Sequence, residues 1–288
     1  MPEFVLGVDI GGTHITAAVI DLSSRAILQE TLSRAPVDSG GSVQQVITTW
    51  SSAMHAAIRK SGQQVRRMGI AMPGPFDYEY GVALMQNQGK YDHLYGVNVR
   101  PLLAQELQVP EENILFQNDA PCFLQGEFFG GAAKGCTRAI GMTLGTGLGS
   151  TWYANGKAVD ADRWNTPFGD SIAEEYLSSR WFVKRFEELT GQQVPNVKAI
   201  VDQFPTEPKV QQLFDEFGKN LGVFLIPFAQ ERNPEVIVLG GNIAKALPLF
   251  APLLLQTLHQ QNVHVPVKQA QLGEEAALIG AASLWKQA

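Results

Sequence analysis

The sequence predicts an α/β protein, and three observations carry that expectation. Strand-like and helix-like segments alternate along all 288 residues, the pattern of α/β architecture. Each half of the chain holds a glycine turn between two extended segments, at Gly11-Gly12 and at Gly145–Gly147. Hydrophobic residues make up 45% and charged residues 17%, enough apolar material for a sizeable core. The repeated hairpin reads as a duplication of architecture rather than of sequence, and the length allows two domains.

In chain order, an apolar run, Phe4-Val5-Leu6-Gly7-Val8, ends in Asp9, and Gly11-Gly12-Thr13 leads into Ile15 to Ile20. Both flanks are short and rich in β-branched residues, so the stretch reads as strand, turn, strand. Ala26 to Leu32 adds a third strand. Val43, Val46, Ile47, Trp50, Ala53, Met54, Ala57 and Ile58 recur with helical period. Met68 to Met72 predicts a buried strand stopped by Pro73-Gly74-Pro75. Ile114 to Phe116 predicts another, followed by Asn118-Asp119-Ala120-Pro121 and a helix through Phe123, Leu124, Glu127 and Phe128.

The second half repeats the theme. Ala139 to Leu144 predicts a strand, Gly145-Thr146-Gly147-Leu148-Gly149 a turn, and Ser150 to Tyr153 an extended return. A long helix is expected from Ser171 towards Leu189, and another with Phe214, Phe217, Leu221, Phe224, Leu225 and Phe228 on one face. Val236 to Leu239 predicts a strand ending in Gly240-Gly241-Asn242. A strand near Val265 and a helix from Glu275 to Trp285 close the chain.

Several classes are excluded by composition. No apolar run approaches the roughly 20 residues that span a bilayer, and no basic segment followed by an apolar one opens the chain as a secretory signal. The expectation is a cytoplasmic protein without a membrane partner. Cys122 and Cys136 are the only cysteines, too few for a disulfide framework or a zinc quartet. A net charge of −6 without a Lys/Arg cluster argues against nucleic acid as a partner.

Paired glycines bring bare N–H groups against a ligand, and a concave set of N–H groups favours an anion. Asp9, two residues before the turn, would repel a phosphate unless a cation sat between them. A nucleotide held with Mg²⁺ reconciles the two. An ordinary Gly-Gly hairpin accounts for the same residues without a ligand.

Asp9-Ile-Gly-Gly-Thr13, Pro73-Gly74, Asn118-Asp119, Gly145-Thr-Gly-Leu-Gly149 and Leu239-Gly240-Gly241 occur in an order that resembles the ROK family of sugar kinases, within the actin-like, ribonuclease-H-like ATPase superfamily. The resemblance runs over nearly the whole chain, to Ala-Leu-Ile-Gly-Ala-Ala at 277 to 282. It implies a two-domain actin-like α/β fold with the active site in a cleft between the domains. The expected domains are residues 1–118, with a last helix at about 275–288 packing back on them, and residues 119–274. The implied activity is transfer of the γ-phosphoryl group of ATP to a hydroxyl of a free hexose, assisted by Mg²⁺. A glucose-like substrate is expected, with an N-acetylhexosamine or fructose as alternatives. A homodimer follows from family and from the frequency of twofold assemblies.

The resemblance also distributes roles. Asp119 would be the general base, where the start of a helix favours its ionised form; an Asp ahead of a Pro is also a common N-cap. Asn118 would hydrogen-bond a sugar hydroxyl, with Gly74 shaping the pocket and Asn87 at a sugar-contacting position. Asp9 would hold Mg²⁺ through water, since this metal keeps several waters. Gly11, Gly12 and Thr13 would face one end of the phosphate chain and Gly145, Thr146 and Gly147 the other, with Gly240 and Gly241 at the adenosine. Glu174 aligns with a sugar-binding glutamate, although Ser171-x-x-Glu174 is also a capping box.

The chain departs from the family between 154 and 170, where Glu, His and Cys are all missing. The family's Glu-x-x-His sugar motif and its cysteine-rich zinc loop are therefore absent, and no zinc site is expected. Asp160, Asp162 and Asn165 are candidates by chemistry for the missing sugar contacts. A sugar-sensing transcriptional regulator would add an N-terminal helix-turn-helix domain, and the phosphate hairpin begins at residue 4. A sugar-binding protein without catalysis is the remaining alternative, opposed by Asp119 and the two glycine turns.

Overall fold

A computed structural model describes residues 3–87 and 89–286. The chain forms two compact units, residues 1–134 with 274–288, and residues 135–273.

The first unit contains β1 (Phe4–Ile10), β2 (His14–Asp21), β3 (Ala26–Ile27), β4 (Ser33–Pro36), α1 (Val43–Ser61), β5 (Met68–Met72), β6 (Phe76–Asp77), β7 (Val82–Ala83), α2 (Val99–Leu107), β8 (Ile114–Asn118) and α3 (Asp119–Gly130). Its sheet has the order β3-β2-β1-β5-β8, with β4 also paired to β2. β1 and β2 form the antiparallel hairpin around Gly11-Gly12, whereas β1, β5 and β8 run parallel. The expected third strand is split: a 3-10 turn over Gln29–Thr31 separates β3 from β4. α1 starts where Ser42 and Gln45 cap each other, two otherwise orphaned N–H groups finding partners. It ends at Gly62, whose φ of 60° is left-handed.

The second unit contains β9 (Ala139–Leu144), β10 (Leu148–Ala154), β11 (Lys157–Asp160), β12 (Pro167–Phe168), β13 (Ser171–Ile172), α4 (Ala173–Leu177), α5 (Ser179–Thr190), α6 (Val197–Gln203), α7 (Pro208–Arg232), β14 (Val236–Gly240), α8 (Leu247–Gln260) and β15 (Val267–Gln269). Its sheet has the order β11-β10-β9-β14-β15. β9 and β10 are again an antiparallel hairpin around a glycine turn, and β14 runs parallel to β9 and β15. The hairpin-plus-parallel-strands plan is thus repeated in both units. Phe182, Phe186, Phe214, Phe217, Phe228 and Phe250 fill the core between the helices.

The long helix expected from Ser171 does not form. Ser171 and Ile172 belong to β13, and the helix breaks at Ser178, whose ψ of 170° is extended. α2 and α8 carry prolines, Pro101, Pro248 and Pro252, which hid both helices from the periodicity.

The chain then adds α9 (Glu275–Ser283) to the first unit, packed on α3, β1 and β5. Because α3 packs on α9, the first unit extends through α3 and the division falls after Lys134 rather than at Asn118. The packing is backbone against backbone: a Cβ on Gly280 would collide with the Cys122 carbonyl, and one on Gly126 with the Ala276 carbonyl. Gly280→Ala gains about 1 kcal/mol in helix propensity, but overpacking costs typically 1–3 kcal/mol and more against backbone. The variant is expected to unfold at a lower temperature than the parent, read by thermal denaturation. Among the described residues no helix is long and apolar enough to cross a membrane.

Candidate functional site

In the first unit the predicted residues collect at the carboxyl ends of the parallel strands. Asp9 on β1 is level with Ala71 on β5, which is level with Gln117 on β8. One residue further on, Met72 is level with Asn118, so Pro73-Gly74 and Asn118-Asp119 leave the sheet side by side. With strands about 4.8 Å apart, Asp9 and Asn118 sit on strands about 10 Å apart at one sheet edge. Crevices at such edges are where ligands bind in parallel α/β sheets.

Asp9 is partly buried, and its carboxyl is pushed up to about 7 from an ordinary 3.8. Burial is the largest cause, followed by the negative charges of Asp119 and Glu274, against which Arg34 acts weakly. Arg34 is itself paired to Glu274 at 2.9 Å. Asp119 is the first residue of α3, exposed, and its Oδ1 accepts the Ala120 N–H at 2.9 Å. The N-cap is Asn118, whose Oδ1 accepts the same N–H at 3.0 Å. Capping is therefore assigned to Asn118 and not to Asp119.

The Asn118 amide also donates to the Tyr78 hydroxyl at 2.8 Å, and that hydroxyl donates to the Met72 carbonyl at 3.2 Å. A Cβ on Gly74 would lie 3.1 Å from the Tyr78 hydroxyl and 3.5 Å from the Asn118 amide. Gly74, Tyr78 and Asn118 thus form one cluster. Tyr78 was not found from sequence, because Phe-Asp-Tyr-Glu-Tyr carries no signal of it. Asn87 does not join this cluster: it is exposed, in the left-handed region at φ 57°, and among the described residues no hydrogen bond ties it to Gly74 or Asn118.

The first glycine turn is closed by the Gly11 N–H donating to the His14 carbonyl at 2.8 Å. The hydroxyl of buried Tyr91 donates to the Gly11 carbonyl at 2.6 Å, and Val37 N–H donates to the Thr13 carbonyl at 2.8 Å. Burial pushes the Tyr91 phenol up to about 12. Tyr91 too escaped the sequence reading, since its partner lies far away in the chain. The N–H groups of Gly12 and Thr13 have no acceptor among the described residues.

Neither Gly11 nor Gly12 has a positive φ. A Cβ on Gly11 would meet nothing nearer than 3.4 Å, and one on Gly12 nothing nearer than 3.7 Å, the stem of Lys90. Among the described residues no neighbouring atom and no positive φ demands glycine here. What the missing side chains leave is room beside free N–H groups, the arrangement that suits an anion.

The second turn behaves alike. Gly145 has no positive φ and open space where a Cβ would stand, and its N–H donates to the Gly147 carbonyl at 3.1 Å. Thr146 and Gly147 N–H groups have no acceptor among the described residues. Gly240 ends β14 level with Thr143, which brings Gly240-Gly241 beside this turn. Gly241 is different in kind: its φ is 84° and a Cβ would strike the Leu144 carbonyl, so the chain's own geometry requires it.

Glu174 is the second residue of α4. Its Oε2 accepts the Leu148 N–H at 3.0 Å, and Arg180 donates to its Oε1 at 2.8 Å. The capping box with Ser171 does not form, because Ser171 lies in β13 and Ile172 is the cap. Asp160 and Asp162 serve their own turn: Asp160 accepts the Asp162 N–H, and Asp162 the Trp164 indole N–H at 2.8 Å. Asn165 is exposed. Among the described residues no group of three or more His, Cys, Asp or Glu is placed to hold a metal.

The model of the ROK family matches residues 5–163 and 171–288; the gap between the two matches, 164–170, lies in the stretch lacking Glu, His and Cys. The chain is 25% identical to the N-acetylgalactosamine kinase AgaK of Shewanella sp. (strain ANA-3), over 96% of this chain and 95% of that one. It is 24% identical to the glucokinase of Thermotoga maritima, over 100% and 99%. The crystal structure of a ROK family glucokinase from Streptomyces griseus, in complex with glucose and AMPPNP, superposes with a TM-score of 0.77 at 22% identity, covering 99% of this chain and 100% of that chain. That likeness carries the fold, the two-unit actin-like α/β architecture expected from sequence.

Proposed function

The chain belongs to the ROK family, and we propose that it is an ATP-dependent kinase of a free hexose, glucose-like in its substrate. The observation that carries this reading is the pair of glycine turns: N–H groups at Gly12, Thr13, Thr146 and Gly147 without an acceptor among the described residues, beside Gly11, Gly12 and Gly145, which have room for a side chain. Phosphoryl transfer is mostly positioning and charge stabilisation, plus one group to take the proton of the attacking hydroxyl. The turns supply N–H donors to phosphate oxygens. Asp119 takes the hydroxyl proton. Asn118, fixed by its bonds to Ala120 and Tyr78, keeps a second amide hydrogen for a sugar oxygen, and Gly74 leaves room beside it.

Mg²⁺ fits the residues present. Asp9 is a partly buried carboxylate facing the charges of Asp119 and Glu274, a surplus of negative charge that a cation would relieve. Magnesium is held by one or two carboxylates and its own waters rather than by an all-protein cage, so Asp9 needs no cluster of further protein ligands. When bound it neutralises charge on the transferred phosphoryl group.

The likeness to an N-acetylgalactosamine kinase supports a second reading, an N-acetylhexosamine as acceptor. A coupled ADP-release assay with ATP, Mg²⁺ and a panel of glucose, mannose, fructose and N-acetylhexosamines separates the two. Turnover is expected with glucose. Turnover only with an N-acetylhexosamine replaces the first reading by the second, and ATP binding without sugar-stimulated release replaces both by a sensing role.

A further inference from the structure

We propose that Glu174 and Arg180 are positioning residues that brace the second glycine turn for the nucleotide. The inference rests on the kinase reading above. The break at Ser178 is what makes the brace. It frees the N–H of Ser179, the first residue of α5, which has no acceptor within its own helix and donates to the Gly145 carbonyl at 2.7 Å. Arg180 follows, donating to the Thr146 carbonyl at 3.2 Å, to Glu174 at 2.8 Å and to Glu175 at 3.1 Å. Glu174 completes the ring by accepting the Leu148 N–H.

Peptide planarity converts these contacts into an orientation. In a trans peptide the N–H of one residue points opposite to the carbonyl of the residue before it. Holding the Gly145 and Thr146 carbonyls towards α5 therefore turns the Thr146 and Gly147 N–H groups the other way, and these are the two with no acceptor among the described residues. A glycine turn left to itself samples many conformations, so without the brace the donors would converge only part of the time. Arg180 also neutralises Glu174 and Glu175, whose charges would otherwise oppose an anion next to the turn. A Cβ on Gly147 would press on Glu174 at 2.9 Å, which gives that glycine its own reason.

The test is a split of KM values. Arg180 is about half exposed, so its loss is expected to raise KM for ATP by about fivefold rather than by orders of magnitude. In Arg180→Leu the sugar KM should stay within about twofold, and titration with ADP in the absence of sugar should weaken in parallel. Arg180→Lys keeps the charge without the fork; it should recover part of the loss, and it carries the test if Arg180→Leu does not fold. Glu174→Gln keeps an acceptor for Leu148 but loses the charge that holds Arg180, and should raise the ATP KM as well. An unaltered ATP KM in both Arg180 variants overturns the proposal. A parent protein that binds no ADP and turns over no sugar overturns the kinase reading itself, and the brace with it.

Discussion

Asp119→Asn is expected to fold, to bind ATP and to lose about 10²–10⁴-fold in turnover, the contribution of a well-placed general base. The fold should survive because the side chain is exposed and is not the cap of its helix. The cap of α3 belongs to Asn118, and the Ala120 N–H that Asp119 Oδ1 accepts can be accepted equally by an asparagine oxygen. What an amide cannot do is take a proton from a sugar hydroxyl. ATP affinity should be nearly unchanged, because the proposed phosphate donors are backbone N–H groups elsewhere. The measurement is kcat in the coupled assay, with melting temperature and ATP binding as controls. Near-parental kcat with intact folding would remove Asp119 from the mechanism.

The parts of this site that were readable in the sequence are those written in neighbouring residues. A glycine pair between two β-branched runs is a local statement, and both hairpins formed where it stood. Met68–Met72 is bounded by Pro73-Gly74, and the strand ends there. The parts that were not readable depend on partners distant in the chain. Ala-Glu-Glu-Tyr-Leu-Ser-Ser-Arg carries a helical pattern throughout, yet the helix breaks at Ser178, next to the Ser179 N–H that the distant Gly145 carbonyl accepts. The same holds for Tyr91 under Gly11 and Tyr78 under Asn118, whose hydroxyls count only once the fold brings their partners near. Ser171 and Glu174 have the spacing of a capping box, yet the β12–β13 hairpin claims Ser171 first. The role proposed for Asp119 came from resemblance to sugar kinases; its local sequence describes a helix start and nothing more.

Asp9→Asn is expected to make the ligand-free protein more stable above neutral pH while costing it turnover with MgATP. With the folded-state carboxyl raised from 3.8 to about 7, the folded protein holds this proton more tightly than the unfolded chain does. Between those two values the folded state binds more protons, so stability falls as pH rises through the interval and stays lower above it. At roughly 1.4 kcal/mol per pH unit the full span is on the order of 4 kcal/mol at most. Asparagine has no charge to bury and escapes that loss. In EDTA without nucleotide, the variant should melt several degrees above the parent at pH 8, at about 2–4 °C per kcal/mol, and the gap should close as pH falls towards 4. The parent's deficit is the cost of keeping a partly buried carboxylate beside Asp119 and Glu274, which on the proposed function a cation arriving with the nucleotide would offset; strained, destabilised sites commonly trade stability for activity in this way. MgATP should accordingly raise the parent's melting temperature more than the variant's, since a ligand stabilises the folded state according to its affinity for that state. A variant no more stable than the parent at pH 8, or equally stabilised by MgATP, would mean that Asp9 is not the residue on which the cation acts.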